Sequence, residues 1–249
     1  MSTKQTFVPK NPLCQISELQ GRLMARDGSD DDRWMLINHD SRLVRYDVAK
    51  YGNQEVHNEL INDLDPLVVQ AVARFGTKEH REELASHDDF GVRREVAHYG
   101  STTQRENLIH DDHPVVRSSV ARYGNNAMRT RLVKDSYPSV RYNVARFGND
   151  KLRDRLISDN DSYVRSGVAL SGNKQHCEAL VDDESYIVRK AVAERGFSDL
   201  CEKLKRDQSE DVRAAVALYG TKEQAHFLLN DKYASVRNKA MIRLGMVEE

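Results

Sequence analysis

The chain has 249 residues, 31% of them charged, and its 38 basic and 39 acidic side chains leave a formal net charge of -1. That balance excludes a global electrostatic pull toward nucleic acid or a membrane surface. No apolar run is long enough to cross a bilayer, and the opening MSTKQTFVPKNP has no apolar core of the kind a signal peptide needs.

In chain order, residues 1–16 read as an N-terminal extension and residues 17–38 as a degenerate capping repeat. In the cap, Ala25, Gly28 and Leu36 stand 24 residues before Ala49, Gly52 and Leu60. Trp34 is expected to cover the open end of the core. Asp30, Asp31 and Asp32 are expected in the turn between the cap's two helices, as a solvated turn rather than a cation site.

Residues 39–245 repeat with a period of 24, most visibly in the pairs Val44-Arg45, Val92-Arg93, Val116-Arg117, Val140-Arg141, Val164-Arg165, Val188-Arg189, Val212-Arg213 and Val236-Arg237, with Val68-Val69 filling the odd beat. A period in this range signals a solenoid. Each unit predicts a first helix, A, such as 114–123, opened by cap residues (Asp65, Asp89, Asp161, Ser185, Ser209) or by proline at its first position (Pro66, Pro114, Pro138). A glycine column from Gly52 to Gly220 is expected to end helix A in the left-handed conformation. Asn53, Thr77, Ser101, Asn125, Asn149, Asn173 and Thr221 then start a second, short helix, B, expected to be partly 3₁₀. Val44, Val48 and Tyr51 share one face of helix A at i, i+4 and i+7, which places the aromatic column (Tyr51, Phe75, Tyr99, Tyr123, Phe147, Tyr219) in the core. Residues 246–249 read as a C-terminal tail. The fold expected is all-α: a right-handed α-solenoid superhelix of about nine two-helix repeats with a degenerate N-terminal cap.

Three cysteines, Cys14, Cys177 and Cys201, form no CxxC motif. Cys177 and Cys201 occupy one column, and stacked helices about 8–10 Å apart do not allow an unstrained disulfide. Reduced thiols and a cytoplasmic location are expected.

A column of acids (Asp63, Asp111, Asp135, Asp159, Asp183, Asp207, Asp231) precedes each Val-Arg arginine by six residues, broken where His87 replaces Asp and Val69 replaces Arg. Asp and Arg at this spacing resemble HEAT-type repeats, and the 24-residue DxxxxVRxxVA string is similar to the short leucine-rich variant repeats. The resemblance implies a structural ladder, including Asp111, Arg117, Asp135, Arg141, Asp159 and Arg165; where its columns break, a local irregularity or bend across residues 63–93 is expected.

Two further columns are basic early and lose that character after residue 155. One is Lys50, Arg74, His98, Arg122, Arg146, Leu170, Glu194 and Leu218. The other, on helix B, is His57, Arg81, Arg105, Arg129, Arg153, Cys177, Cys201 and Ala225. A requirement of the fold should persist in every repeat, so their ending points to function. Residues 117–155 hold ten basic against three acidic residues, while residues 1–116 hold 14 against 20. A non-enzymatic adaptor or inhibitor is expected. It would dock an acidic protein partner on Arg74, Arg81, Arg105, Arg122, Arg129, Arg131, Arg146, Arg153 and Arg155, against the plainer reading of a solvated face. Nucleic acid is the alternative partner, in the manner of the HEAT-like glycosylases for alkylated bases. An enzyme like the HEAT-type bilin lyases is the third reading. No HExxH, Walker, GxGxxG or GxSxG motif supports catalysis, a cofactor or a metal. No membrane association is expected.

Overall fold

The computed structural model describes residues 16–247, and among them every regular element is an α-helix. Two compact units divide the chain, Met1–Val116 and Arg117–Glu249. The first holds α1 (Glu18–Asp27), α2 (Asp30–Leu36), α3 (Arg42–Tyr51), α4 (Gln54–Leu60), α5 (Pro66–Phe75), α6 (Lys78–Leu84), α7 (Phe90–Tyr99) and α8 (Thr102–Asn107). The division falls inside α9 (Pro114–Tyr123). The second unit continues with α10 (Asn126–Leu132), α11 (Pro138–Phe147), α12 (Asp150–Leu156), α13 (Ser162–Ser171), α14 (Lys174–Leu180), α15 (Tyr186–Glu194), α16 (Ser198–Leu204), α17 (Glu210–Tyr219), α18 (Lys222–Leu228) and α19 (Ala234–Arg243). The 24-residue period is thus a helix pair. The expected 3₁₀ character is replaced by regular α-helices of six or seven residues. The expected extension lies outside the described residues except for Ile16, as do Cys14 and the last two residues of the tail.

Each helix A packs on the helix A of the next repeat: α1 on α3, α3 on α5 and α5 on α7 in the first unit, and α11 through α19 in the same series in the second. This is the serial packing of an α-solenoid. The Val-Arg valine, the valine four residues on and the alanine after it have no solvent exposure in repeat after repeat, as at Val44, Val48 and Ala49 or Val164, Val168 and Ala169. Helix B adds one leucine each time, Leu60 and Leu132 being 3% exposed. A fully buried valine contributes about 1.5 kcal/mol or more, but only when the neighbouring repeat is present to cover it. In the first repeat Ala25 and Leu36 are fully buried. Trp34 remains 44% exposed, so it does not seal the core as expected.

The junctions are tighter than expected. Asn53, Thr77, Ser101, Asn125, Asn149, Asn173 and Thr221 each accept the backbone N–H three residues on, opening helix B at once. The preceding glycines are not left-handed: Gly28, Gly52, Gly76, Gly100, Gly148, Gly172 and Gly220 have φ between -73° and -81°. Glycine is needed there for space. A Cβ at Gly52 would lie 2.6 Å from both the Val48 carbonyl oxygen and Val56 Cγ1. Within this column Gly196, where Phe197 offers no side-chain cap, takes the left-handed form at φ +70°, as does Gly245 after the last helix. Asp30, Asp31 and Asp32 also differ from expectation. They form the first turn of α2, where Ser29 and Asp32 make a reciprocal capping box and acidic charge suits the helix dipole.

The Asp–Arg columns form ion pairs, with a partner different from the adjacent one. Arg141 donates from Nε and Nη2 to Asp159, 18 residues ahead, at 2.7 and 2.8 Å. Its Nη1 donates back to the backbone carbonyls of Asp135 and Ser136. The same bidentate pairing joins Arg45–Asp63, Arg93–Asp111, Arg117–Asp135, Arg165–Asp183, Arg189–Asp207 and Arg213–Asp231. Each carboxylate also takes the backbone N–H two residues on, as Asp159 does from Asp161. The ion-pair partner of Asp111 is thus Arg93, 18 residues before it. At the break, α5, α6 and α7 keep the lengths of their counterparts, so the irregularity expected over 63–93 is not seen in the helices.

Candidate functional site

Four helix B arginines, Arg81, Arg105, Arg129 and Arg153, belong to the fold. Arg105 donates from Nε to the Ala97 carbonyl at 2.8 Å and from Nη2 to the His98 carbonyl at 2.7 Å, closing the open carbonyl end of α7. Arg81 does this for Ala73 and Gly76, Arg129 for Ala121 and Arg122, and Arg153 for Ala145. A cation at a helix C-terminus is favourable in its own right. The role does not stop at residue 155, as the sequence suggested. Cys177 Sγ and Cys201 Sγ take over at the carbonyls of Ala169 and Ala193. Arg195 reaches the Leu170 and Gly172 carbonyls, and Arg243 the Gly220 carbonyl. Arg81, Arg105, Arg129 and Arg153 are thereby removed from the expected partner surface. Burial lowers the pKa of Arg81, Arg105 and Arg129.

The column at the end of helix A behaves differently. Arg74 is exposed, its guanidinium 5.1 Å from the Phe75 ring centre and 5.2 Å from that of Tyr99. Arg122 is likewise exposed, 5.3 Å from the Tyr123 ring and 5.4 Å from the Phe147 ring. Each stands beside a ring of its own repeat and a ring of the next. Lys50 lies over Tyr51, and His98 stacks on Tyr99 at 4.0 Å. The aromatic column is accordingly not core: Phe147 and Tyr219 are 40% and 48% exposed, and the other rings are partly covered. A guanidinium over an aromatic ring is attracted by the ring's negative face and keeps N–H donors that can bind a carboxylate or phosphate. Arg146, one repeat after Arg122, is half-buried.

Within the second unit, helix A also presents residues that the repeat analysis passed over. Tyr142 stacks on Tyr163 with ring centres 3.9 Å apart. The ring lies where a Cβ on Gly167 would come within 2.8 Å, so the glycine makes room for it. Tyr163, Tyr186 and Ile187 are 50%, 45% and 41% exposed. Farther along, Ala214, Ala215 and Leu218 line a groove of about 310 Å³ flanked by Lys190, Glu194, Asp211 and Lys239. The signal was present in the sequence as glycine at position 167 of a helix and tyrosines at 142 and 163, outside every conserved-looking column. Arg131 and Arg155 are exposed on helix B, apart from this face.

No group of three or more His, Cys, Asp or Glu among the described residues could hold a metal ion. No helix among them is long and apolar enough to cross a membrane. Cys177 and Cys201 are buried free thiols.

These features define a helical repeat protein, with an α-solenoid built on capped helix pairs and an Arg–Asp ladder. Among solved structures it is similar to a leucine-rich repeat variant with a novel repetitive protein structural motif, at TM-score 0.62 and 23% identity over 83% of this chain and 88% of that one. That likeness establishes the fold. An engineered protein matches over 94% of this chain and 93% of its own at 14% identity and TM-score 0.34. A designed armadillo repeat protein matches over 94% and 95% at 13% identity and TM-score 0.17. No family model matches the chain. No curated protein matches its sequence.

Proposed function

We propose that the protein is a non-enzymatic binding scaffold, an adaptor or inhibitor, whose helix A surface docks an acidic protein partner. The observation that carries this reading is the exposed Arg122 over the Tyr123 and Phe147 rings, with Arg146 and the Tyr142–Tyr163 stack on the following helices. Arg74 offers the same arrangement within the first unit. Arginine and tyrosine are the residues that anchor protein interfaces. A guanidinium already held in place loses little freedom on binding a carboxylate. The ring faces beside these arginines are occupied by cations, which argues against bases stacking on them and favours a partner read by its negative charge.

A labelled glutamate-rich peptide and a single-stranded oligonucleotide, each titrated against wild type and the R122E/R146E variant, test this. Peptide affinity should fall about 10- to 100-fold in the variant, the loss expected of one or two charge-assisted bonds at about 1.5 kcal/mol each. Equal peptide binding by both proteins would overturn the site. Oligonucleotide binding tighter than peptide binding, lost in the variant and falling steeply with salt, would transfer the site to nucleic acid.

A further inference from the structure

The outer face of helix B carries opposite charge in the two units at one register position. In the first unit this position is Glu59 on α4 and Glu83 on α6. In the second it is Arg131 on α10 and Arg155 on α12, and all four are exposed. Each pair is separated by the same 24 residues, one repeat. The surroundings reinforce the contrast. Glu55, Glu79 and Glu82 are also exposed on α4 and α6, and the exposed Lys78 there is 3.3 Å from Glu82. On α10 and α12, Lys151 adds positive charge. The two acids of α12 are engaged locally, Asp150 by Arg153 at 2.9 Å and by Asn173, Asp154 by His176 at 3.0 Å. Among the described residues, neither Glu59 nor Glu83 caps a helix, unlike the ladder and capping residues.

We infer that a second copy of this chain is the partner of this face: α4 and α6 of one copy dock on α10 and α12 of another. An antiparallel approach that sets Glu83 opposite Arg131 sets Glu59 opposite Arg155, because both pairs share the repeat spacing. Exposed pairs of this kind are individually weak and screened by salt, so association is steered by several charges together and is reversible. The inference concerns other helices than the helix A surface, so either can fail alone.

Sedimentation velocity on the whole chain tests it, from about 1 to 300 µM, at roughly 20 mM and 500 mM salt, conditions that span weak and strong screening. Wild type should rise above the single-chain mass of 28.5 kDa at low salt and return to it at high salt. E59R/E83R and R131E/R155E should each remain single chains, and their equimolar mixture should associate again, now between one copy of each. Single-chain wild type at every concentration would overturn the proposal. So would association of either variant at the wild-type level, or a mixture in which the two variants stay apart.

Discussion

Val69 and His87 stand at the two ends of one missing rung. They are 18 residues apart, the separation that joins Arg45 to Asp63 before them and Arg93 to Asp111 after them. Both partners have been replaced together. Val69 is fully buried, and His87 Nδ1 accepts the Asp89 N–H at 3.0 Å, the bond that Asp63 makes to Asp65. The first repeat shows the same substitution, with Gly21 in the arginine column and His39 accepting from Ser41 N–H at 3.0 Å. Removing both partners avoids the uncompensated buried charge that removing one would leave. V69R alone should therefore destabilise the protein by about 3 kcal/mol, and V69R/H87D should recover most of that loss. Urea unfolding of the two singles and the double checks the coupling; additive effects would deny it.

Acid should dissolve the ladder. At Asp231 the Arg213 N–H groups hold the carboxyl below its ordinary value of 3.8. At Asp111, Asp159 and Asp183 burial pushes upward, but the arginine and backbone donors outweigh it and the net direction is again down. A lowered folded-state pKa means that the stabilisation is complete above about pH 4 and is lost as pH falls through the folded value. Melting temperature should stay level toward neutral pH and fall below about pH 4, and less steeply in D183N/R165M, which lacks one rung. A D183N/R165M profile as steep as wild type would count against this account.

Arg105 and Arg122 should answer mutation in opposite ways. R105A leaves the Ala97 and His98 carbonyls at the end of α7 without their donor and should cost about 1.5–3 kcal/mol. R122A removes an exposed ring contact and should cost about 1 kcal/mol or less, while weakening the acidic peptide. Stability and peptide binding measured on the same two variants separate structural from binding arginines.

Cys177 and Cys201 should be unreactive in the folded protein. Burial pushes the Cys201 thiol up to about 11 and raises Cys177 as well, so little thiolate exists at neutral pH and neither sulfur is accessible. In a C14S background, a thiol-reactive dye should label native protein only at the rate of unfolding. A fast labelling phase would contradict the packing.

The sequence made the helix pairs legible because each boundary is written in local chemistry. Asn125 opens α10 just past a glycine, and Pro138 sits at the first position of α11. The binding surface was harder to separate from the scaffold. Arg129 and Arg122 look alike in a repeat alignment, yet one bonds backbone carbonyls and the other lies against rings. The decisive clue was that Cys177, Cys201, Arg195 and Arg243 do the work of Arg129 in later repeats. Arg195 and Arg243 do so from the column that holds aromatics elsewhere, and a column-by-column reading keeps those positions apart. The partner of each ladder arginine was missed because six residues back and 18 ahead are one repeat apart, and periodicity alone cannot tell them from each other.

Ladder arginines such as Arg93 and Arg141 grip a carbonyl behind and a carboxylate ahead, so neighbouring repeats within a unit are riveted in both directions. Between Val69 and His87 the rivet is missing, and apolar packing holds the joint with only lighter polar contacts, the Gln70–Asp89 hydrogen bond and Arg74 over the Tyr99 ring. Fraying that begins at α1 should spread as far as that seam and pause where Arg93 and Asp111 resume the chain of rivets. Amide exchange would then show a step in protection there instead of a smooth gradient.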